Sequence, residues 1–350
     1  MQKRIRAYGI TVGTRKTGKL NKITDVPGVT VGHCTVREEG HRTGVTVIYP
    51  CEDNMFRSKL VAASFVMNGF GKTAGLVQVD ELGSLETPIA LTNTLNVGLV
   101  SDALVEYMTQ MCERDKVPMR SINPVVGECN DAGMNRITER VIRKEQVMQA
   151  IQARCTDFEE GGVGAGTGTI CHDLKGGIGS ASRVMEIAGR QYTIGVLVQS
   201  NHGCLSRLQI GQRMIGQEII WKRETEKQQE CDQGSIIMIV ATDLPVSDRQ
   251  LRRIIKRCSA GLARLGSYFG HGSGDIMIGF STANRISSPS IPCIQSVQMV
   301  NESALEDAFE CTAEATEEAV LNSMVCADAD VRLDGRIVES LSRYLQPPLE

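Results

Sequence analysis

An α/β sandwich is the architecture this sequence predicts, and three observations predict it. Apolar runs of strand length recur along the chain, segments of helical period fall between them, and the two kinds mix over the whole length instead of forming separate blocks. The strand expectation rests on Gly44-Val45-Thr46-Val47-Ile48-Tyr49, Ala74-Gly75-Leu76-Val77-Gln78-Val79, Ile89-Ala90-Leu91-Thr92, Ile194-Gly195-Val196-Leu197-Val198-Gln199, Ile236-Ile237-Met238-Ile239-Val240-Ala241, and Asp275 to Phe280. Helices are expected over Ser101 to Glu113, where Leu104, Tyr107, Met108 and Met111 share a face behind a Ser101 cap, and over Glu139 to Arg154. Two more are expected from about Ser247 to Leu265, opened by Ser247-Asp248, and from Ala304 to Met324.

By length, 350 residues could hold two domains. The one compositional break is Trp221 to Glu230, all charge and amide after its tryptophan. Apolar strands resume at once after it, so a hydrated excursion inside a single domain over 1–350 is expected rather than a linker. The chain carries 38 basic and 41 acidic residues, a net charge of −3. That balance leaves no electrostatic footprint for nucleic acid or an anionic membrane. No uncharged apolar run is long enough to span a bilayer, and the first residues lack the apolar core of a signal peptide, so a cytoplasmic protein is expected. The twelve cysteines form no Cys-x-x-Cys pair, which points to reduced thiols and to neither a metal nor a redox dithiol.

Glycine-rich segments fail as nucleotide sites. Gly161 to Gly168 lacks the dinucleotide-fold spacing, and Gly71-Lys72-Thr73 has Val66 where a phosphate loop needs glycine. The segment around Ser273 has His271 where a nucleophile elbow needs glycine. The junction Gly234-Ser235 is different, because it stands between a polar stretch and a buried-strand pattern. A cut there would make Ser235 an N-terminal serine whose hydroxyl is a nucleophile and whose own α-amine, with an ordinary pKa near ~8, is the base. A histidine-based alternative would use His202 or His271.

Taken in order, six segments resemble the self-processing serine aminopeptidases, the group of L-aminopeptidase/D-esterase and the β-peptidyl aminopeptidases. They are Ile23 to His33, Pro88 to Thr94, Pro124 to Asp131, Gly164 to Gly168, Val196 to Gly203 and Gly272 to Ile276, with Gly234-Ser235 in place. The resemblance implies a four-layer αββα sandwich and self-cleavage between Gly234 and Ser235. The products would be an α chain of 1–234 and a β chain of 235–350. It also implies an aminopeptidase or amidase acting on small peptides or amino-acid amides without metal or cofactor, assembled as a homo-oligomer. By the same resemblance Ser235 is the nucleophile, Asn201 the oxyanion donor, and Ser273 with Asp275 the supporting pair. Asn130, Glu128, Gly164 and Gly166 are expected at the substrate, with Glu128 a candidate for its ammonium. Asn130 stands where several relatives carry an aromatic residue. The alternatives are an acyltransferase of the ornithine acetyltransferase type, which cuts before threonine, and a non-catalytic relative of the same fold.

Overall fold

A computed structural model describes residues 3–223, 233–288 and 293–345. Up to residue 287 the strands are β1 (Thr30–Glu38), β2 (His41–Tyr49), β3 (Ser58–Gly69), β4 (Ser84–Leu85), β5 (Ile89–Asn93), β6 (Val125–Cys129), β7 (Ile170–Cys171), β8 (Leu174–Lys175), β9 (Ile178–Ile187), β10 (Arg190–Asn201), β11 (Gln233–Thr242) and β12 (Gly272–Ser287), followed by a small hairpin of Asp330–Val331 and Ile337–Val338. The helices are α1 (Leu76–Leu82), α2 (Val97–Arg114), α3 (Lys144–Gln152), α4 (Ile215–Arg223), α5 (Asp248–Ile255), α6 (Cys258–Arg264) and α7 (Leu305–Val325).

Two sheets stack face to face. One has the order β1-β2-β5-β6 and the other β4-β3-β12-β11-β10-β9. Strand alternation decides what each face meets. In β11, Ile237, Ile239 and Ala241 enter a core shared with Val45, Val47 and Leu91 of the first sheet, a core that also reaches Leu104 of α2 and Ile151 of α3. Ile236, Met238 and Val240 enter a second core with Leu251 of α5, Leu262 of α6 and Ala315 of α7. The result is the expected αββα sandwich, with β11 buried on both faces. Buried polar groups tie the layers together. Gln199 Nε2 crosses between the sheets to the carbonyls of Thr92 (3.1 Å) and Ala165 (2.9 Å). All cysteines among the described residues are free thiols, and no described helix is long and apolar enough to cross a membrane.

Several sequence expectations need correction. Residues 74–79 do not form a strand: Ala74 makes an isolated bridge to Val126, and α1 begins at Leu76. Gly75, at φ +90°, breaks the extended path, and a short apolar run does not by itself separate helix from strand. Ser101 is not a cap, because α2 already starts at Val97. The long helix expected from 247 to 265 is two, α5 and α6, although Ser247 caps as expected, its hydroxyl accepting from Gln250 N at 3.2 Å. Of the charged excursion, Trp221 to Arg223 end α4 and residues 224–230 lie outside the described residues.

The outer helix α7 is fixed to β9 by charge. Arg183 is fully buried, and its guanidinium reaches Glu314 at 2.9 Å and Glu318 at 2.7 Å while donating to the carbonyl of Val12 at 2.8 Å. Arg6 also engages Glu318, at 2.7 Å. Removing one partner strands buried carboxylates, which typically costs about 3–5 kcal/mol. Arg183→Ala is therefore expected to lower the unfolding free energy by about 3 kcal/mol or more in a urea titration, and a loss within the ~0.5 kcal/mol of ordinary surface changes would contradict this account.

Candidate active site

Ser235 lies at the beginning of β11, flanked by β10 on one side and β12 on the other. The antiparallel register sets it opposite Asn201, and the parallel register sets it opposite Gly274. It is 4 % exposed. The residue before it has to be glycine for two reasons. Gly234 has φ +132°, in the region L side chains avoid, and a Cβ there would stand 2.0 Å from the carbonyl oxygen of Asn201. The bond expected to be cut is thus held in a conformation open only to glycine, against the strand end that carries Asn201.

Asn201 is oriented by a single hydrogen bond. Its Oδ1 accepts from Ile170 N at 2.9 Å. A backbone N–H can only donate, so the amide oxygen must face Ile170 and the Nδ2 donor must face away. Among the described residues Nδ2 has no hydrogen-bond partner. A neutral, preoriented N–H of this kind suits a developing oxyanion.

Ser273 and Asp275 meet as expected for residues two apart on a strand. Ser273 Oγ donates to Asp275 Oδ1 at 2.8 Å, and both residues are buried. The register adds something the spacing did not show. Ser235 faces Gly274 across the ladder, while Gly234 faces Ser273 and Ile236 faces Asp275. Alternation therefore places Ser273 and Asp275 on the rungs either side of Ser235, with their side chains on the sheet face opposite its own. No hydrogen bond joins Ser235 Oγ to Ser273 Oγ among the described residues. Beneath them Cys129 Sγ donates to the carbonyls of Gln199 (3.3 Å) and Ser235 (3.5 Å). Burial, with the charge of Glu128, holds this thiol well above its usual range, so it stays protonated as a donor.

Glu128, at the end of β6, is 2 % exposed and firmly held. Its carboxylate accepts from Lys72 N at 2.9 Å and from the Thr94 hydroxyl. Gly71 links it to the centre of the site: a Cβ on Gly71 would lie 3.8 Å from Glu128 Oε1 and 4.0 Å from Gly274 Cα. Asn130 is exposed, and its side chain accepts from Ala132 N at 3.0 Å, closing a local turn. Gly164 and Gly166 are buried with their amides already used, by Thr35 Oγ1 (2.8 Å) and the carbonyl of Val163 (2.9 Å). Lys175, fully buried, gathers the carbonyls of Gly166, Thr169 and Gly176 at 2.8–3.1 Å. Burial pulls its pKa down to about 7, partly opposed by Asp330. This glycine-rich loop is therefore a packed wall behind β10.

The two histidines weighed as alternative bases lie apart from this chemistry. His202 is buried against Cys171 and His172, and burial together with His172 keeps its pKa far below the ordinary imidazole value. His271 is exposed. Neither hydrogen-bonds a serine hydroxyl among the described residues.

Residues 21–338 match the profile described as Peptidase family S58. The chain belongs to this family. It is 36% identical over 347 residues to the β-peptidyl aminopeptidase BapA of Sphingosinicella microcystinivorans, covering 93% of this chain and 86% of that protein. The structure of the PH0078 protein from Pyrococcus horikoshii OT3 matches with a TM-score of 0.92 and 43% identity over 99% of this chain and 98% of the other. The L-aminopeptidase D-Ala-esterase/amidase of Ochrobactrum anthropi, a prototype of the serine aminopeptidases and a variant of the Ntn hydrolase fold, matches with a TM-score of 0.87. Its identity is 34%, over 97% of this chain and 95% of the other. As an S58 peptidase the protein is a hydrolase, an aminopeptidase/amidase of the serine N-terminal-nucleophile type, and its substrates are peptides.

Asp131 gives the site region a measurable pH dependence. Burial pushes its carboxyl up to about 6, against hydrogen bonds from Thr43 and Asn135. The unfolded chain ionises near ~3.9, so between pH ~4 and ~6 the folded state holds the extra proton and stability falls as pH rises. Asp131→Asn keeps an acceptor for Asn135 and removes the titration. The stability difference between wild type and variant is expected to shift in the variant's favour by roughly 2–3 kcal/mol from pH ~4 to pH ~7 in urea titrations, and a flat difference would contradict the assignment.

Proposed function

We propose that the protein is made as one chain, cuts itself between Gly234 and Ser235, and then works as an aminopeptidase on short peptides, amides or esters through an acyl-enzyme on Ser235. The observation that carries this reading is the strand register that sets Ser235 opposite Asn201, with the amide of Asn201 turned by Ile170 so that Nδ2 is left to donate. In the cutting step Ser235 Oγ attacks the Gly234 carbonyl carbon, and Asn201 Nδ2 donates to the resulting oxyanion. The C–N bond breaks, the nitrogen takes up the hydroxyl proton, and an ester forms. Water then hydrolyses the ester, releasing the Gly234 carboxylate and restoring the Ser235 hydroxyl beside the new α-amine.

That amine is the base for turnover. In this reading Ser273 and Asp275, in register with Gly234 and Ile236, serve the amine: they hold its position and share its proton. Glu128 takes the ammonium of the substrate, and Asn130 stands at the rim of its pocket. Gly164 and Gly166 act from behind by fixing β10 through Gln199. The attacked carbonyl of the substrate occupies the place Gly234 leaves, so the same oxyanion donor acts twice. Similarity to a β-peptidyl aminopeptidase supports N-terminal β-residues among the substrates. The αβ units assemble as a cytoplasmic homo-oligomer. Its subunits cover exposed apolar side chains such as Phe70 and Val77.

Intact-mass analysis of purified protein is expected to show two polypeptides, one ending at Gly234 and one beginning at Ser235, whereas Ser235→Ala remains one chain without peptidase activity. A single uncut wild-type chain with full activity would refute the proposal. Asn201→Ala is expected to slow both self-cleavage and kcat by about 10²–10³ with a smaller effect on KM, measured on aminoacyl p-nitroanilides; unchanged rates would remove Asn201 from its role.

A further inference from the structure

We propose that Cys171, His172 and His202 form a buried binding site for a borderline-soft transition-metal ion of the Zn²⁺ class, separate from the peptidase chemistry. The three come from two places in the chain. Cys171 ends β7 and His172 opens the tight turn into β8, while His202 directly follows β10. All three are buried, and one ligand atom from each lies within 4.8 Å of the others. Cys171 Sγ and His202 Nδ1 are 3.8 Å apart, and the two imidazole rings meet edge to face with centroids 5.3 Å apart. A tetrahedral zinc with Zn–S of about 2.3 Å and Zn–N of about 2.0 Å needs ligand atoms about 3.5 Å apart. Rotation of the side chains by about 1 Å closes the widest pair.

Two further observations point to a ligand. His172 Nδ1 lies 3.0 Å from the carbonyl of Cys204, which can only accept, so the ring proton is on Nδ1 and the lone pair is on Nε2. This is the tautomer metal-bound histidines adopt, with the other ring nitrogen donating to a carbonyl. His202 Nε2, on a side chain 1 % exposed, is enclosed with no hydrogen-bond partner among the described residues. The backbone is also shaped around the cluster. His172 and Asp173 both hold positive φ, +50° and +56°, and a Cβ on Gly203 would lie 2.4 Å from the His172 ring. One thiolate with two imidazoles selects zinc-like ions over magnesium or calcium. Binding replaces the thiol proton of Cys171, which leaves to solvent, and the ion joins the sulfur to one nitrogen of each ring. The clamped segments are those whose neighbours, Ile170 and Asn201, share a hydrogen bond.

The test uses the full chain expressed in Zn²⁺-supplemented medium and read by elemental analysis after desalting. About one zinc per chain is expected, falling at least about tenfold in Cys171→Ala and His202→Asn. Expression with Co²⁺ in place of Zn²⁺ should give a thiolate-to-cobalt absorption band that Cys171→Ala lacks. Anomalous diffraction at the zinc edge on wild-type crystals gives the answer without any variant: a peak among the three side chains supports the site. Substoichiometric metal, a cobalt band retained in Cys171→Ala, or peaks only elsewhere overturns it. None of these readouts depends on peptidase activity.

Discussion

The double pairing of β11 is the constraint from which the site follows. With β10 antiparallel on one side and β12 parallel on the other, one register fixes Asn201, Gly274 and the rungs of Ser273 and Asp275 around Ser235. A slip of one residue would send Ser235 to the opposite face and drive the apolar side chains of β11 into the wrong cores. The same residues that make the strand a good core element therefore also set the position of its hydroxyl.

Buried polar links make that register rigid. Gln199 joins the sheets, the Cys129 thiol lies beneath the Ser235 carbonyl, and Lys175 gathers three carbonyls of the glycine-rich wall. Each satisfies groups that would otherwise be stranded in a dry interior, so none can move without cost. The orientation of Asn201 depends on one more such link, from a backbone amide whose direction admits no alternative. Rigidity here comes from polar accounting as much as from hydrophobic packing.

How much of this was legible in the sequence depends on what each residue pattern encodes. The strands at β2, β5, β10, β11 and β12 carry apolar runs and could be read directly. By contrast, β9 contains Ser180, Ser182 and Arg183, all buried because Val196, Asp25 and the acidic face of α7 satisfy them. Local composition gives no sign of those remote partners. Residues 74–79 read as a strand because β-branched propensity is local, while the break at Gly75 is set by contact with Pro124. For the site, motif order located the candidate residues, but only the sheet register shows that Ser273 and Asp275 stand on the rungs either side of Ser235. The Cys171–His172–His202 cluster left no trace in residue spacing, since His202 lies 30 positions beyond His172 and meets it only when the β7–β8 turn folds over the end of β10.

The strand order of the larger sheet has a mechanical consequence. Its two central strands, β12 and all of β11 but its first two residues, follow residue 234, and the strands on both outer sides, β4-β3 and β10-β9, precede it. A nick at that point would leave two polypeptides interleaved like clasped fingers. Neither could depart without unzipping a ladder on each of its borders, so the severed molecule would behave as one body and the fresh terminus would stay where the intact chain had put it.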